Sequence, residues 1–233
     1  MEVGPTTHYV MGGIRVDGDT QMSSLPGLFA AGECAAGING ANRLGGNSLS
    51  DLLVFGKRAG EYAADFAKRH GDVHLDNAQI EAAGSRALEP FERGASATEN
   101  PFRIQQDLQG MMQDLVGIVR QEDEMQRALQ GLGDLRTRAA RAGVTGHREF
   151  NTGWHAAQDL GNLLTVSEAI TRAAIERKES RGGHFRSDFP AKDQAYASFN
   201  VVVKQGADGA MVISRAPIPP MPPELQQVIE ENK

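Results

Sequence analysis

"INGANRLGGNSLSDLLVFGKRAG", residues 38–60, sets an arginine among asparagines and glycines directly ahead of a run with helical periodicity. Glycines in such a loop bring backbone close to a neighbour, because no Cβ intervenes. Leu49, Leu52, Leu53, Tyr62, Ala63 and Phe66 recur at mostly three- and four-residue spacing, which predicts a helix from about Ser48 to Arg69. Ser48 stands where the N-cap belongs, and Asp51 three residues on makes an S-x-x-D capping box. The start of this helix offers free N–H groups and partial positive charge, and Gly45 and Gly46 leave room for an electron-rich ligand to approach it. Arg43 adds a permanent cation whose planar fork suits a carboxylate. The plainer alternative is a capped helix after a glycine loop, with Arg43 a surface or ion-pair residue.

Working outward, Gly12 and Gly13 precede "IRVDGDTQ", a short strand running into an Asp-Gly turn. "GLFAAGE", residues 27–33, reads as a buried strand of small residues ending in the carboxylate of Glu33. Residues 71–98 are polar and irregular, with a short helical pattern at "NAQIEAAGSRAL", and suit a linker. From Pro101 the pattern changes. "FRIQQDLQGMMQDLVGIVR", "EDEMQRALQGLGDLRTRAARA" and "WHAAQDLGNLLTVSEAITRAAIERKE" are amphipathic at helical spacing and predict an antiparallel three-helix bundle. "ASFNVVVKQGADGAMVISRAPIP" predicts two strands around a glycine turn, before a Pro-rich, then briefly helical, acidic tail. The expected architecture is an α/β segment followed by an α-helical three-helix bundle, with a short β-hairpin and tail. Its divisions are 1–70, 71–98, 99–185 and 186–233.

The net charge of −6 over 233 residues argues against nucleic acid as a partner, since no basic face offsets it. Cys34, the sole cysteine, excludes an internal disulfide and reads as a buried structural thiol. The histidines, at positions 8, 70, 74, 147, 155 and 184, show no spacing that specifies a metal site. No apolar run approaches the roughly 20 residues that span a bilayer. Trp154 reads as a packing residue. "ESRGGHFRSDFP", residues 179–190, reads as a structural or interface segment with Gly182 and Gly183 capping a helix.

"PTTHYVMGGIRVD", "GLFAAGE" and "GANRLGGNSLSDLLVFGKRAG", in this order and spacing, resemble the flavoprotein subunit of succinate dehydrogenase and fumarate reductase. The resemblance continues through "FNTGWHAAQDLGNLLTVSEAITRAAIERKESRGGHFRSDFPAKD", which looks like the family's C-terminal helical domain. It covers essentially the whole chain. L-aspartate oxidase shares the H-Y-x-x-G-G and G-A-N-R themes, but "NRLGGNSLSDLLVFG" is more similar to the dehydrogenase branch.

The resemblance implies that residues 1–70 are the C-terminal segment of an FAD-binding domain. His8 and Arg43 would each hold a carboxylate of a dicarboxylate such as succinate or fumarate. Glu33 would accept hydrogen bonds from the ribityl hydroxyls of FAD, and Ser48 and Leu49 would meet the flavin ring through their backbone. The implied reaction is hydride transfer between succinate and FAD, with electrons passed to an iron–sulfur subunit held at the inner face of the cell membrane by membrane anchor subunits. One cysteine is too few for a cluster in this chain, which needs about four thiolates. The family's Gly-rich pyrophosphate turn and its proton-shuttling arginine have no counterpart among these residues, so the chain is expected to begin inside the FAD-binding domain and to need the N-terminal flavoprotein half for activity. No catalytic residue is therefore assigned. A non-catalytic assembly module is the alternative from another class.

Overall fold

The computed structural model describes residues 8–71 and 75–232. Residues 14–35 form a looped platform joined by single bridges: Val16 to Ser23, Met22 to Phe29, and, in parallel, Ile14 to Ala35. A 3-10 turn, Gly32–Cys34, ends it. Helix α1, Asn47–His70, lies on this platform. Phe66 meets Phe29 edge-to-face at 6.1 Å, and a Cβ on Gly27 would press on the Phe66 ring at 3.1 Å. Few residues here are buried: Gln21, Ala30, Gly32, Ala35 and Asp51.

Helix α2, Asn77–Arg93, begins at Asp76, whose carboxylate accepts from the Ala78 and Gln79 amides. It extends beyond the short pattern expected within a linker, through Pro90 to Arg93. Its exposed polar face hid a tertiary anchor: Ala87 O accepts from Trp154 Nε1 at 2.6 Å and from Gln158 Nε2 at 2.7 Å.

Three helices follow: α3, Pro101–Val116; α4, Glu122–Ala139, reached through the short strand β1, Val119–Arg120; and α5, Thr152–Glu176. Asn100 and Asn151 cap α3 and α5 by accepting first-turn amides, and Pro101 occupies the first turn of α3, where its missing N–H costs nothing. Each of the three packs on the other two. Ile104, Leu108, Leu132, Leu135, Ala142, Leu160 and Leu164 make one buried cluster; Val116, Met125, Ala128 and Ala174 continue it toward the other end. The four-residue steps Ile104–Leu108 and Leu160–Leu164 put these side chains on one face of each helix. Gly131 of α4 faces Met111 of α3 so closely that a Cβ would overlap its sulfur.

Strand β2, Phe185–Arg186, pairs in parallel with β1 (Val119 with Phe185, Arg120 with Arg186). Strands β3, Phe199–Gln205, and β4, Met211–Pro217, form the expected antiparallel hairpin, pairing Phe199 with Pro217 and Gln205 with Met211. Helix α6, Pro223–Glu231, closes the described chain without burying a residue. No helix among the described residues is long and apolar enough to cross a membrane.

Two buried ionic clusters lie where α5 gives way to β2. The Glu179 carboxylate, fully buried, accepts from Arg177 (2.6 Å), from Arg181 with both oxygens (2.8 and 2.9 Å) and from the Asp193 amide (2.9 Å). Desolvation pushes this carboxyl up. The hydrogen bonds from Arg181, the Asp193 amide and Arg177 outweigh it and hold the group at about 2. The Arg186 guanidinium, also fully buried, pairs with Asp188 at 2.6 Å and Glu122 at 2.8 Å and donates to Ala174 O. The segment read as structural or interface is therefore built of charges that neutralise one another, as buried charge requires. The expectation that Gly182 and Gly183 cap the helix is corrected, since α5 ends at Glu176 with Arg177 as its C-cap.

Candidate functional site

The predicted ligand residues gather where the 38–46 loop, the start of α1 and residues 8–10 meet. The Arg43 guanidinium lies over the Tyr9 ring, 4.8 Å from its centroid, and the His8 ring stands edge-on to the same ring at 6.2 Å. A histidine and an arginine far apart in sequence thus flank one phenol. Among the described residues no carboxylate lies within ion-pair distance of Arg43. Its Nη1 reaches only the neighbouring Leu44 carbonyl, at 3.4 Å, and its Nε is buried with no hydrogen-bond partner. A guanidinium left this way can receive an anion without first breaking an ion pair. Of the plainer readings of Arg43, the ion pair is not formed among the described residues, while the side chain is partly exposed.

Glu33 sits in the 3-10 turn, exposed, and one of its oxygens accepts from the Val10 amide at 2.9 Å. This bond holds the chain beside His8. Ser48 and Leu49 lie in the first turn of α1; the Leu49 amide donates to Gly46 O at 3.1 Å, whereas the Ser48 amide has no acceptor among the described residues. A Cβ built on Gly45 or Gly46 would meet nothing within 4 Å, so the space before the helix start is open. The Leu49 side chain, 67% exposed, borders it.

Tyr9 is the member that sequence reasoning passed over. Its hydroxyl donates to Asp51 at 3.3 Å, and its ring is the contact shared by the two predicted carboxylate ligands. Desolvation first, then Asp51 and Glu33, hold this phenol above its ordinary value, with Arg43 opposing, so it stays a neutral donor. An aromatic residue directly after a candidate ligand was the available signal.

Three expectations need correction. The capping box does not form. The helix starts one residue earlier than Ser48, its N-cap is Gly46 in the left-handed conformation (φ 82°), and no side chain caps it. A Ser48 cap needs extended backbone at Ser48, and the Gly46 turn has already made that residue helical. Asp51 is buried beneath Tyr9 instead, with its second oxygen unpartnered. "GLFAAGE" is not a strand beyond one bridge at Phe29, because no described segment offers it a ladder to join. Cys34 is exposed, its thiol donating to Ala31 O at 3.2 Å. No group of three or more His, Cys, Asp or Glu among the described residues is placed to hold a metal; His74 lies outside the described residues.

Known proteins resemble this chain in both its parts. An "FAD binding domain" family model matches residues 1–49, the part containing the loop, Glu33 and the start of α1. A "Fumarate reductase flavoprotein C-term" family model matches residues 105–228. The chain thus carries flavoprotein sequence in both its parts. It belongs to the succinate dehydrogenase/fumarate reductase flavoprotein family. It is 39% identical over 223 residues to the fumarate reductase flavoprotein subunit of Mycobacterium tuberculosis, covering 93% of this chain and 38% of that one. It is 36% identical to the succinate dehydrogenase flavoprotein subunit of Coxiella burnetii, covering 94% of this chain and 40% of that relative. A solved structure of Mycobacterium smegmatis Sdh1 in complex with UQ1 superposes with a TM-score of 0.91 at 48% identity, over all of this chain and 39% of that one. The chain thus spans well under half the length of these relatives.

Proposed function

We propose that this chain supplies the dicarboxylate-binding edge and the helical C-terminal part of a flavoprotein that interconverts succinate and fumarate. In this reading residues 1–70 close an FAD-binding unit, α3, α4 and α5 form a three-helix domain, and FAD lies before the first turn of α1. Support comes foremost from Arg43, a guanidinium that among the described residues has no carboxylate partner and an unpartnered, buried Nε, packed on Tyr9 beside His8. Arg43 and His8 each hold one carboxylate of the substrate, Arg43 offsetting part of its charge, and the two together fix its orientation. The residues fit the cofactor: open glycines at 45 and 46, a Ser48 amide without an acceptor among the described residues, and a Glu33 oxygen not used by Val10. FAD, when bound, supplies the two-electron acceptor, and the helix start favours negative charge developing beside it by about 1 kcal/mol.

The exposed apolar row Leu44, Leu49, Leu53 and Val54 is covered, in this proposal, by the rest of the flavin-binding unit. Electrons leave to an iron–sulfur subunit, and the assembly sits at the inner membrane face through anchor subunits.

The test is to express residues 1–233 alone and together with the N-terminal part of the Mycobacterium tuberculosis relative. The chain alone is expected to retain no stoichiometric flavin and to leave succinate unoxidised. The pair is expected to bind FAD and to respond spectrally to malonate, and Arg43→Ala is expected to abolish that response while FAD stays bound. Flavin and turnover in the chain alone, or a malonate response indifferent to Arg43, would overturn the proposal.

A further inference from the structure

The loop that carries Arg43 is held from outside by very little. Among the described residues, one hydrogen bond joins residues 38–45 to anything beyond their own helix: the Gly183 amide donates to Ala41 O at 2.9 Å. Ala41 lies two residues before Arg43. The donor sits on a tight turn closed by the Arg181 amide on His184 O (2.8 Å) and the His184 amide on Arg181 O (3.1 Å). Gly182, at φ +60°, forms its tip, and a Cβ there would overlap the Ala41 carbonyl oxygen and approach the Ala41 Cβ to 2.8 Å. Gly183 is different: its Cβ would meet the loop only at ordinary contact distance, 3.9–4.0 Å.

The base of the turn is rigid. Both ends of the Arg181 fork grip the buried Glu179 carboxylate, and Arg181 also donates to Asp193 O at 3.1 Å. The His184 ring bridges Arg120, 2.9 Å from Nδ1, and the Arg177 carbonyl, 3.0 Å from Nε2. A turn fixed to the end of α5 and to β1 therefore reaches across to one carbonyl of a loop that, among the described residues, takes no other hydrogen bond from outside, its remaining support being the packing of Arg43 on Tyr9.

We propose that the Arg181–His184 turn is a positioning latch for the dicarboxylate-binding arginine, with Gly182 and the Arg181–Glu179 fork as its positioning residues. This deepens the functional reading above and rests on it for what Arg43 does. The placement of the loop can be tested without it. The latch carries the register of the helical part into the ligand loop, so that Arg43 meets Tyr9 at a set height before any acid arrives. Pre-orientation of this kind matters because a misplacement of about 1 Å at a binding group can cost about a hundredfold.

The test compares Gly182→Ala, Gly183→Ala and the parent chain of 233 residues by native trypsinolysis, following cleavage after Arg43 relative to cleavage after Arg58 in α1. Gly182→Ala is expected to speed cleavage after Arg43 roughly tenfold or more, since an alanine forced left-handed drives the turn off its partner. Gly183→Ala is expected to leave the ratio unchanged. Should Gly182→Ala lose its circular dichroism, Arg181→Lys decides, because lysine keeps the charge and loses the fork; it too is expected to raise the ratio. Equal ratios in the folded variants overturn the latch. In the FAD-loaded pair, Gly182→Ala is expected to weaken malonate about tenfold with flavin content unchanged; full malonate affinity in that variant would likewise overturn it. If the parent pair fails to bind malonate, the functional reading fails, and the cleavage ratio still judges the latch.

Discussion

Replacing Glu179 by glutamine isolates one charge at the best-buried ionic cluster. In the parent its carboxyl is held at about 2 against an ordinary 4.5, and the side chain is fully buried. The depressed value means stability that is present above pH 4.5 and is lost as pH falls through about 2. A shift of this size corresponds to about 3 kcal/mol, in line with the cost of breaking a buried ion pair by neutralising one partner. Glu179→Gln keeps the shape and leaves Arg177 and Arg181 facing a neutral amide. Urea melts at pH 7 are expected to show a loss of about 3 kcal/mol, and thermal melts a drop of roughly 6–12 °C for a chain of this size. The difference between variant and parent is expected to shrink steadily from pH 4.5 toward pH 2, as the parent protonates. Asp188, also held at about 2 by its bond from Arg186, is common to both proteins and cancels in the difference. A deficit that stays constant from pH 7 to pH 2.5 would refute the reasoning, because it would mean the loss comes from packing and not from charge.

Other outcomes follow from the same coordinates. Leu132→Ala, in the middle of the helical core, is expected to cost 2–5 kcal/mol in a urea melt, against under about 0.5 kcal/mol for a change at exposed Glu230. Asn100→Ala removes the side chain that caps α3 and is expected to cost about 1 kcal/mol by the same assay. His184 is pushed down to about 4 by desolvation and by Arg120 and Arg186, partly offset by its bond to Arg177 O. Its ring resonances are expected to titrate near 4, and His184→Gln is expected to remove the share of stability lost as pH falls from 6.5 to 4, where the unfolded histidine binds a proton and the folded one does not.

Much of the helical part was legible in the residues alone. Four-residue steps such as Ile104–Leu108 and Leu160–Leu164 specify a buried face wherever the helix docks, and Asn100 and Asn151 mark starts by local chemistry. The β3–β4 hairpin was equally plain, since a glycine turn and flanking β-branched residues act over a few positions. The candidate ligands His8 and Arg43 were named from the resemblance; their meeting on Tyr9 came only with the fold. What misled was chemistry whose partner lay elsewhere. Ser48 and Asp51 fit a capping box in sequence, yet Asp51 is claimed by Tyr9, 42 positions away. "GLFAAGE" has strand composition, but a strand needs a neighbour to supply its ladder, and composition says nothing of whether one is in reach.

By itself, then, the order of residues determined the long helices, the β3–β4 hairpin and the exclusion of an internal disulfide, because periodicity and residue inventory act at short range. Only the folded chain decided which charges would be buried together, as Glu179 is between Arg177 and Arg181, and which loop would rest on which turn, as Ala41 does on Gly183. Those outcomes depend on desolvation and on contacts between distant segments, and both come into being when the surfaces meet.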